Sequence, residues 1–99
     1  MKFEKISNAC GTALAGYCEA KYAEIEEVLG EPSFGPDEPS GDGKVTCQWV
    51  LQFEDGTIAT LYDYKHGRTP YGMYRWHIGG LSRAAVDRMQ ELFPHVVIR

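Results

Sequence analysis

The residues best suited to chemistry or binding lie in one stretch of sixteen, from position 62 to position 77. It is rich in aromatic, histidine and basic side chains, namely Tyr62, Tyr64, Lys65, His66, Arg68, Tyr71, Tyr74, Arg75, Trp76 and His77. Aromatic rings stack on nucleobases, and arginine or lysine binds phosphate. Tyrosine and arginine also dominate protein–protein interfaces. The composition therefore predicts a surface that binds a nucleotide, a single-stranded end or a protein.

Strand alternation separates this stretch into two groups. One group falls at positions predicted to point inward and is equally well explained as core: Tyr62, Tyr64, Tyr74 and Trp76. The other falls in a connection or on the outward side of a strand, where binding residues are common: Arg68, Tyr71, Arg75 and His77. We expect this second group to contact a partner. An acidic helix surface also qualifies, formed by Glu24, Glu26 and Glu27.

The sequence contains no motif of a hydrolase nucleophile, a zinc protease, a phosphate-binding loop or a dinucleotide fold. His77 could act as a base, but no nucleophile is identified beside it, and a satisfied histidine at a sheet edge explains it better. Asp63 is expected to point to solvent. The cysteines Cys10, Cys18 and Cys47 are odd in number and lack metal-ligand spacing. We predict no enzyme, no catalytic residue, no metal and no cofactor.

The strongest structural signal is Asp55-Gly56 between two runs of β-branched and aromatic residues, which predicts a hairpin over about 44–53 and 57–65. A two-residue type I′ turn would pair Glu54 with Thr57 and Trp49 with Tyr62. The buried face would then consist of Val45, Cys47, Trp49, Leu51, Phe53, Ile58, Tyr62 and Tyr64. Residues 73–78 alternate as a third strand, with a turn predicted at positions 79–80.

Two helices are predicted around the strands. The first spans 20–29, with Tyr22, Ile25, Val28 and Leu29 on one face, and it ends at Gly30. The second runs from a Ser82 cap to position 93. Residues 3–18 are predicted to be extended, with helix as the alternative, and the tail 95–99 could add a strand. The fold prediction is α+β: one domain over 1–99, an antiparallel meander of three to five strands with two helices on one face.

Charge limits the partners that the chain can have. Ten basic and fourteen acidic residues give a net charge of −4, which disfavours general nucleic-acid binding. Eight of the acidic residues lie between positions 19 and 42, where they form either a solvated surface or one that steers a charged partner. No apolar run reaches the ~20 residues of a membrane span, and the N-terminus lacks a secretory signal. The chain is expected to be cytosolic.

Several segments resemble a family of small proteins from tailed bacteriophages and prophages. They are WVLQFEDGTIATLYDYK (49–65), WHIGG (76–80), GTALAGY (11–17), YAEI (22–25) and LGEP (29–32). The resemblance implies a protein of the host cytoplasm that binds a host factor stoichiometrically, as an anti-CRISPR or other anti-defence protein does. The alternatives are a binder that sequesters a nucleotide signal, an enzyme of unknown class, and a part of the virion. One form of the nucleotide binder is a homodimer with its site between the subunits.

Overall fold

The computed structural model describes residues 2–7, 9, 11–38, 41 and 43–99. Predictions that concern the other positions lie outside the described residues: Cys10, the acidic Asp42, and part of the stretch 33–43, whose glycines and prolines predict a loop. The elements in chain order are β1 (Phe3–Lys5), β2 (Ala13–Ala20), α1 (Tyr22–Leu29), β3 (Gln48–Phe53), β4 (Ile58–Tyr62), β5 (Tyr74–Gly80), α2 (Ala84–Leu92) and β6 (Val97–Ile98).

The strands form one sheet in the order β1-β3-β4-β5-β2-β6, with every neighbouring pair antiparallel. The predicted α+β class is confirmed, and β3, β4 and β5 are the predicted meander. The sheet has six strands among the described residues, slightly more than the predicted three to five. The increase arises because both strands of the N-terminal segment and the C-terminal tail join the same sheet.

Both helices pack on one face of the sheet, as predicted. Their apolar sides are buried in the core, which includes Tyr22, Ile25 and Leu29 of α1 and Ala85, Val86 and Met89 of α2. Helix α1 begins two residues later than predicted because Ala20 ends β2. Helical spacing therefore located the buried faces, while the boundaries moved by a few residues. The inward position predicted for Val28 is wrong, because its side chain is 41% exposed at the edge of that face.

The predicted turn at positions 79–80 is wrong, because β5 continues through Gly80. Both glycines are needed for packing. A Cβ on Gly80 would overlap the methyl group of Ala85 in α2, and a Cβ on Gly79 would overlap Oγ1 of Thr60 on the other side of the sheet. Gly80 therefore lets α2 lie close to the strand, whereas Gly79 leaves room for Thr60 on the opposite face.

Two buried tryptophans of the sheet form hydrogen bonds to the two ends of α1. The rings of Trp49 and Trp76 are fully buried and meet edge to face at 5.6 Å. Trp76 Nε1 donates to the carbonyl of Ala20 at 3.1 Å, and Trp49 Nε1 donates to the carbonyl of Gly30 at 2.9 Å. Because these carbonyls flank the helix, each tryptophan satisfies one polar group at one end of it.

The hairpin forms, but its turn has three residues rather than two. The N–H of Phe53 donates to the carbonyl of Thr57 at 2.8 Å, and the N–H of Gly56 donates to that of Phe53 at 2.8 Å. Gly56 has a φ of 90°, as expected for the left-handed residue that follows a type I turn in a three-residue loop. The predicted type I′ turn is therefore wrong.

The longer turn shifts the register by one residue, so that Trp49 pairs with Leu61 and Tyr62 pairs with Gln48. A shift of one exchanges the two faces of a strand. Leu61 is consequently in the core, while the predicted core residues Ile58 and Tyr62 are only partly buried on the opposite face and Tyr64 is exposed.

Candidate functional site

The face of the sheet opposite the helices carries a cluster of rings. His77 of β5 pairs with Tyr62 of β4 on one side and with Tyr17 of β2 on the other, and paired residues point to the same face. We call this surface the open face and define it by five residues, Tyr17, Tyr62, Tyr64, Arg75 and His77. It covers one end of the sheet, because Val50 and Thr60 farther along the same side are buried.

The imidazole of His77 lies at the centre of the open face. Its ring centroid is 5.2 Å from that of Tyr17, 5.5 Å from that of Tyr62 and 5.4 Å from that of Tyr64. Its Nδ1 atom is buried and has no hydrogen-bond partner among the described residues. Burial above all, and then the charge of Arg75, lower the pKa of His77 below its usual 6.5. The ring is therefore neutral near pH 7.

Two cations border these rings. The guanidinium carbon of Arg75 lies 4.1 Å from the ring centre of Tyr17, and Nζ of Lys65 lies 5.4 Å from that of Tyr64. Glu19, which is opposite Arg75 in the sheet, contributes an exposed carboxylate to this part of the face. The open face thus carries more positive than negative charge, although the chain has a net charge of −4.

Apolar side chains extend the surface beyond the rings. Leu14 of β2 is opposite Gly79, and Val97 of β6 is opposite Glu19, so both share this face. Their side chains are 51% and 49% exposed. The margin of the open face is therefore suited to contact with a protein surface.

The structure does not bring the four predicted contact residues together. Arg75 and His77 belong to the open face, whereas Tyr71 packs against Tyr22 of α1, on the helix side, with 5.0 Å between the ring centres. Arg68 and Tyr71 line a surface depression of about 490 Å³ there, together with Asp37, His66, Thr69, Pro70, Gly72 and Met73. The sequence stretch therefore divides between two surfaces.

A buried carboxylate stabilises the connection between β4 and β5 (63–73). Asp63 is fully buried and accepts hydrogen bonds from the N–H groups of Thr46 and Cys47 at 2.8 and 3.0 Å and from the Thr46 hydroxyl at 2.5 Å. The hydroxyls of Thr46 and Thr69 are 2.9 Å apart. The expectation that Asp63 points to solvent is wrong, because the register shift turns it inward.

The network reaches the surface at Asp37. Its carboxylate accepts the N–H of Thr69 at 2.9 Å and the hydroxyl of Tyr71 at 2.8 Å. The Tyr71 hydroxyl above all, and then Thr69, hold the pKa of the Asp37 carboxyl below its usual 3.8. Tyr71 is therefore oriented by the protein itself and does not depend on a ligand for its position.

The acidic residues of α1 form a further surface. Glu24, Glu26 and Glu27 are exposed, and Glu24 Oε1 accepts the N–H of Lys21 at 2.9 Å, which caps the helix. Burial above all, with smaller contributions that include Glu26, raises the pKa of Tyr22 to about 12. Because α1 packs on the other side of the sheet, these acids do not adjoin the open face.

Sequence reasoning missed Tyr17 and treated Tyr62 and Tyr64 as core. A local signal existed for Tyr62, because Ala59 and Leu61 form an apolar alternate pair while Thr60 and Tyr62 form a more polar one. Tyr17 has no local signal. It reaches His77 only because β2 pairs with β5, which lies about sixty residues later.

Among the described residues, no three His, Cys, Asp or Glu side chains are arranged to hold a metal ion. None of the described helices is long and apolar enough to span a bilayer. Comparisons with protein families, curated proteins and solved structures give no match. The function is therefore argued from the surfaces described above.

Proposed function

We propose that this chain is a phage-encoded anti-defence protein, comparable to an anti-CRISPR, that binds a host immune effector complex in the host cytoplasm. It acts by stoichiometric binding through the open face and performs no turnover. The observation that carries the proposal is the ring cluster around His77, bordered by Arg75 and Lys65. The resemblance to tailed-phage proteins supplies the biological setting.

The construction of the open face supports a binding role. Its side chains project from β2, β4 and β5, and they contact one another before any partner arrives. Little side-chain freedom is then lost on association, which favours affinity. Tyrosine and arginine are the residues that contribute most at interface centres. With the exposed Leu14 and Val97 at its margin, the surface can form the core of an interface of about 800 Å² per partner.

Charge defines the kind of partner surface. Arg75 and Lys65 outweigh Glu19 on this part of the molecule, so a complementary surface carries negative groups. Such complementarity accelerates association and excludes wrong partners. An effector complex offers negative groups both on its protein and on its nucleic acid.

The first experiment measures protection of a phage. A defence-sensitive phage is plated on cells that carry the immune system and express either the wild-type protein or a variant. We expect Arg75→Ala with Tyr64→Ala to lower plating at least about tenfold, since these exposed anchors contribute most of the contact energy. The matched control, Glu24→Gln with Glu26→Gln and Glu27→Gln, should plate like wild type. The reverse result would place the site on α1.

The second experiment tests stoichiometry. Purified protein is titrated into the purified effector, and residual effector activity is measured. A binder abolishes activity at a molar ratio near one, whereas an enzyme abolishes it at a small fraction of that ratio. Complete inactivation at such a fraction, or no protection by the wild-type protein in the plating assay, would overturn the proposal.

A further inference from the structure

The ring cluster has the geometry of a stacking surface. The imidazole of His77 and the phenol ring of Tyr62 are inclined by only 26° at 5.5 Å, and Tyr64, which is 38% exposed, adjoins them. These rings lie on an antiparallel sheet whose helices occupy the opposite face. Sheets of this kind bind unstacked bases through aromatic side chains on the uncovered face.

The cations are placed to meet a phosphate. Arg75 lies over the ring of Tyr17, and neither Arg75 nor Lys65 forms an ion pair with another described residue. Glu19, although opposite Arg75 in the sheet, does not neutralise it by contact. A guanidinium that stacks on a ring keeps its N–H groups free for a bidentate acceptor.

The depression that contains Arg68 lacks the net positive charge of the open face. Arg68 lines the depression on the helix side, but the carboxylate of Asp37 lines it too, and the negative charge of Asp37 opposes an anion. Arg68 and Arg75 therefore differ in their surroundings although both are exposed. This difference makes Arg68 a matched control.

From these contacts we infer that the open face binds an unstacked nucleobase together with its phosphate, the base on the rings and the phosphate on Arg75. The inference rests on the binding role proposed for this face and names the chemistry of the group that it contacts. Two sources supply that chemistry, a single-stranded segment of the effector's nucleic acid and a free nucleotide signal. Duplexes are excluded because their bases are stacked, and a chain with a net charge of −4 is a poor binder of backbone phosphates alone.

The test is binding of the purified full chain to defined probes, measured by fluorescence anisotropy and calorimetry. The probes are a short single-stranded RNA, the same RNA as a duplex, a cyclic dinucleotide, a mononucleotide and inorganic phosphate. We expect the single strand or one of the nucleotides to bind, and the duplex and inorganic phosphate to bind at least about tenfold more weakly. Tight binding of the RNA identifies the strand as the source. Tight binding of a free nucleotide identifies the signal, and it would replace effector binding in the proposed function with sequestration of that signal.

The variants locate the site. Arg75→Gln and Tyr64→Ala should each raise the dissociation constant about tenfold, which corresponds to the loss of one charge-assisted or stacking contact. Arg68→Gln removes the same charge and should leave the constant unchanged. Melting curves of Arg75→Gln and Arg68→Gln should match that of the wild type, because both side chains are exposed. Tyr64→Ala removes a ring that packs against His77, so its binding is measured well below its own melting temperature.

The outcomes separate this inference from the proposed function. If no probe binds, if the duplex binds as well as the single strand, or if Arg68→Gln weakens binding as much as Arg75→Gln, the inference is wrong. If one of these binding results is obtained while the double variant Arg75→Ala/Tyr64→Ala still abolishes phage protection, the proposed function stands and the contacted group is protein. If phage protection also fails in the wild type, both are wrong.

Discussion

Asp63 is a buried carboxylate whose partners are all hydrogen-bond donors from the protein chain: two N–H groups and one hydroxyl. Both N–H groups donate to Oδ1 and the Thr46 hydroxyl donates to Oδ2, so a side chain without an oxygen at this position would leave the two N–H groups unpaired. The negative charge of Asp63 is therefore stabilised by the dipoles of N–H and O–H groups rather than by a cation.

We expect Asp63→Ala to lower the free energy of unfolding by about 2–3 kcal/mol, because it leaves the buried N–H groups of Thr46 and Cys47 without their acceptor. Urea denaturation followed by tryptophan fluorescence measures the change. Asp87→Ala is the control, since that carboxylate is exposed and forms only a 3.9 Å contact with Arg83. An Asp63 variant as stable as the control would show that the network adds nothing to the fold.

The two described thiols should be chemically inert. Burial above all raises the pKa of Cys18 and of Cys47 to about 12 each, and both side chains have no exposed surface. A thiol reagent attacks the thiolate. In a Cys10→Ser background the native protein should therefore not react with an aromatic disulfide reagent near pH 8, while the urea-unfolded protein reacts at both positions. Rapid labelling of the native protein would contradict the burial of these residues.

At the scale of elements, Gly80 of β5 determines how closely α2 approaches the sheet. Gly80→Ala would drive its methyl group into that of Ala85, and we expect a loss of about 1–3 kcal/mol from this overpacking. Gly72→Ala is the control, because a methyl group there would meet no described atom within 4 Å beyond its chain neighbours, and its backbone is not left-handed. Thermal unfolding distinguishes the two. Equal melting temperatures would mean that α2 can move away without cost.

Local patterns predicted most of the elements, and they failed where a single residue decides between two geometries. The spacing of Tyr22, Ile25 and Leu29 identified the buried side of α1 because helical periodicity is local. Asp55-Gly56 identified a hairpin but not its register, since the pair fits a two-residue turn and equally the last two residues of a three-residue loop. That choice determines whether Tyr62 or Leu61 is buried, and hence whether the open face has its rings.

Over the whole molecule, the candidate site depends on pairing between distant segments. Tyr17 from the N-terminal part and Tyr62, Arg75 and His77 from the central part meet only when β2 joins the far side of the meander. No window of sequence contains this information, because strand order follows from burial of the entire sheet. The predicted contact residues Arg68 and Tyr71 were adjacent to Arg75 in sequence, yet they lie on the other side of the sheet.

The pH dependence of the free energy of unfolding should show whether His77 is packed in the open face. His77 has a lowered pKa in the folded protein, since burial and Arg75 disfavour its charged form. The unfolded chain, with the usual value of 6.5, therefore binds a proton at higher pH than the folded chain does. The resulting contribution to stability is present above pH 6.5 and is lost as the pH falls from there toward the folded-state pKa.

We expect the midpoint of urea unfolding to decrease on acidification through this window and the decrease to be smaller in His77→Gln, which cannot be protonated. His95→Gln is the control, because that side chain is exposed and lies outside the ring cluster. Asp55, whose pKa is lowered to about 2 chiefly by the N–H of Thr57, is present in both proteins, so its contribution cancels in the comparison of wild type with His77→Gln. A pH dependence that is identical in wild type and His77→Gln would show that the imidazole is solvated, and the ring cluster would then not be packed as described.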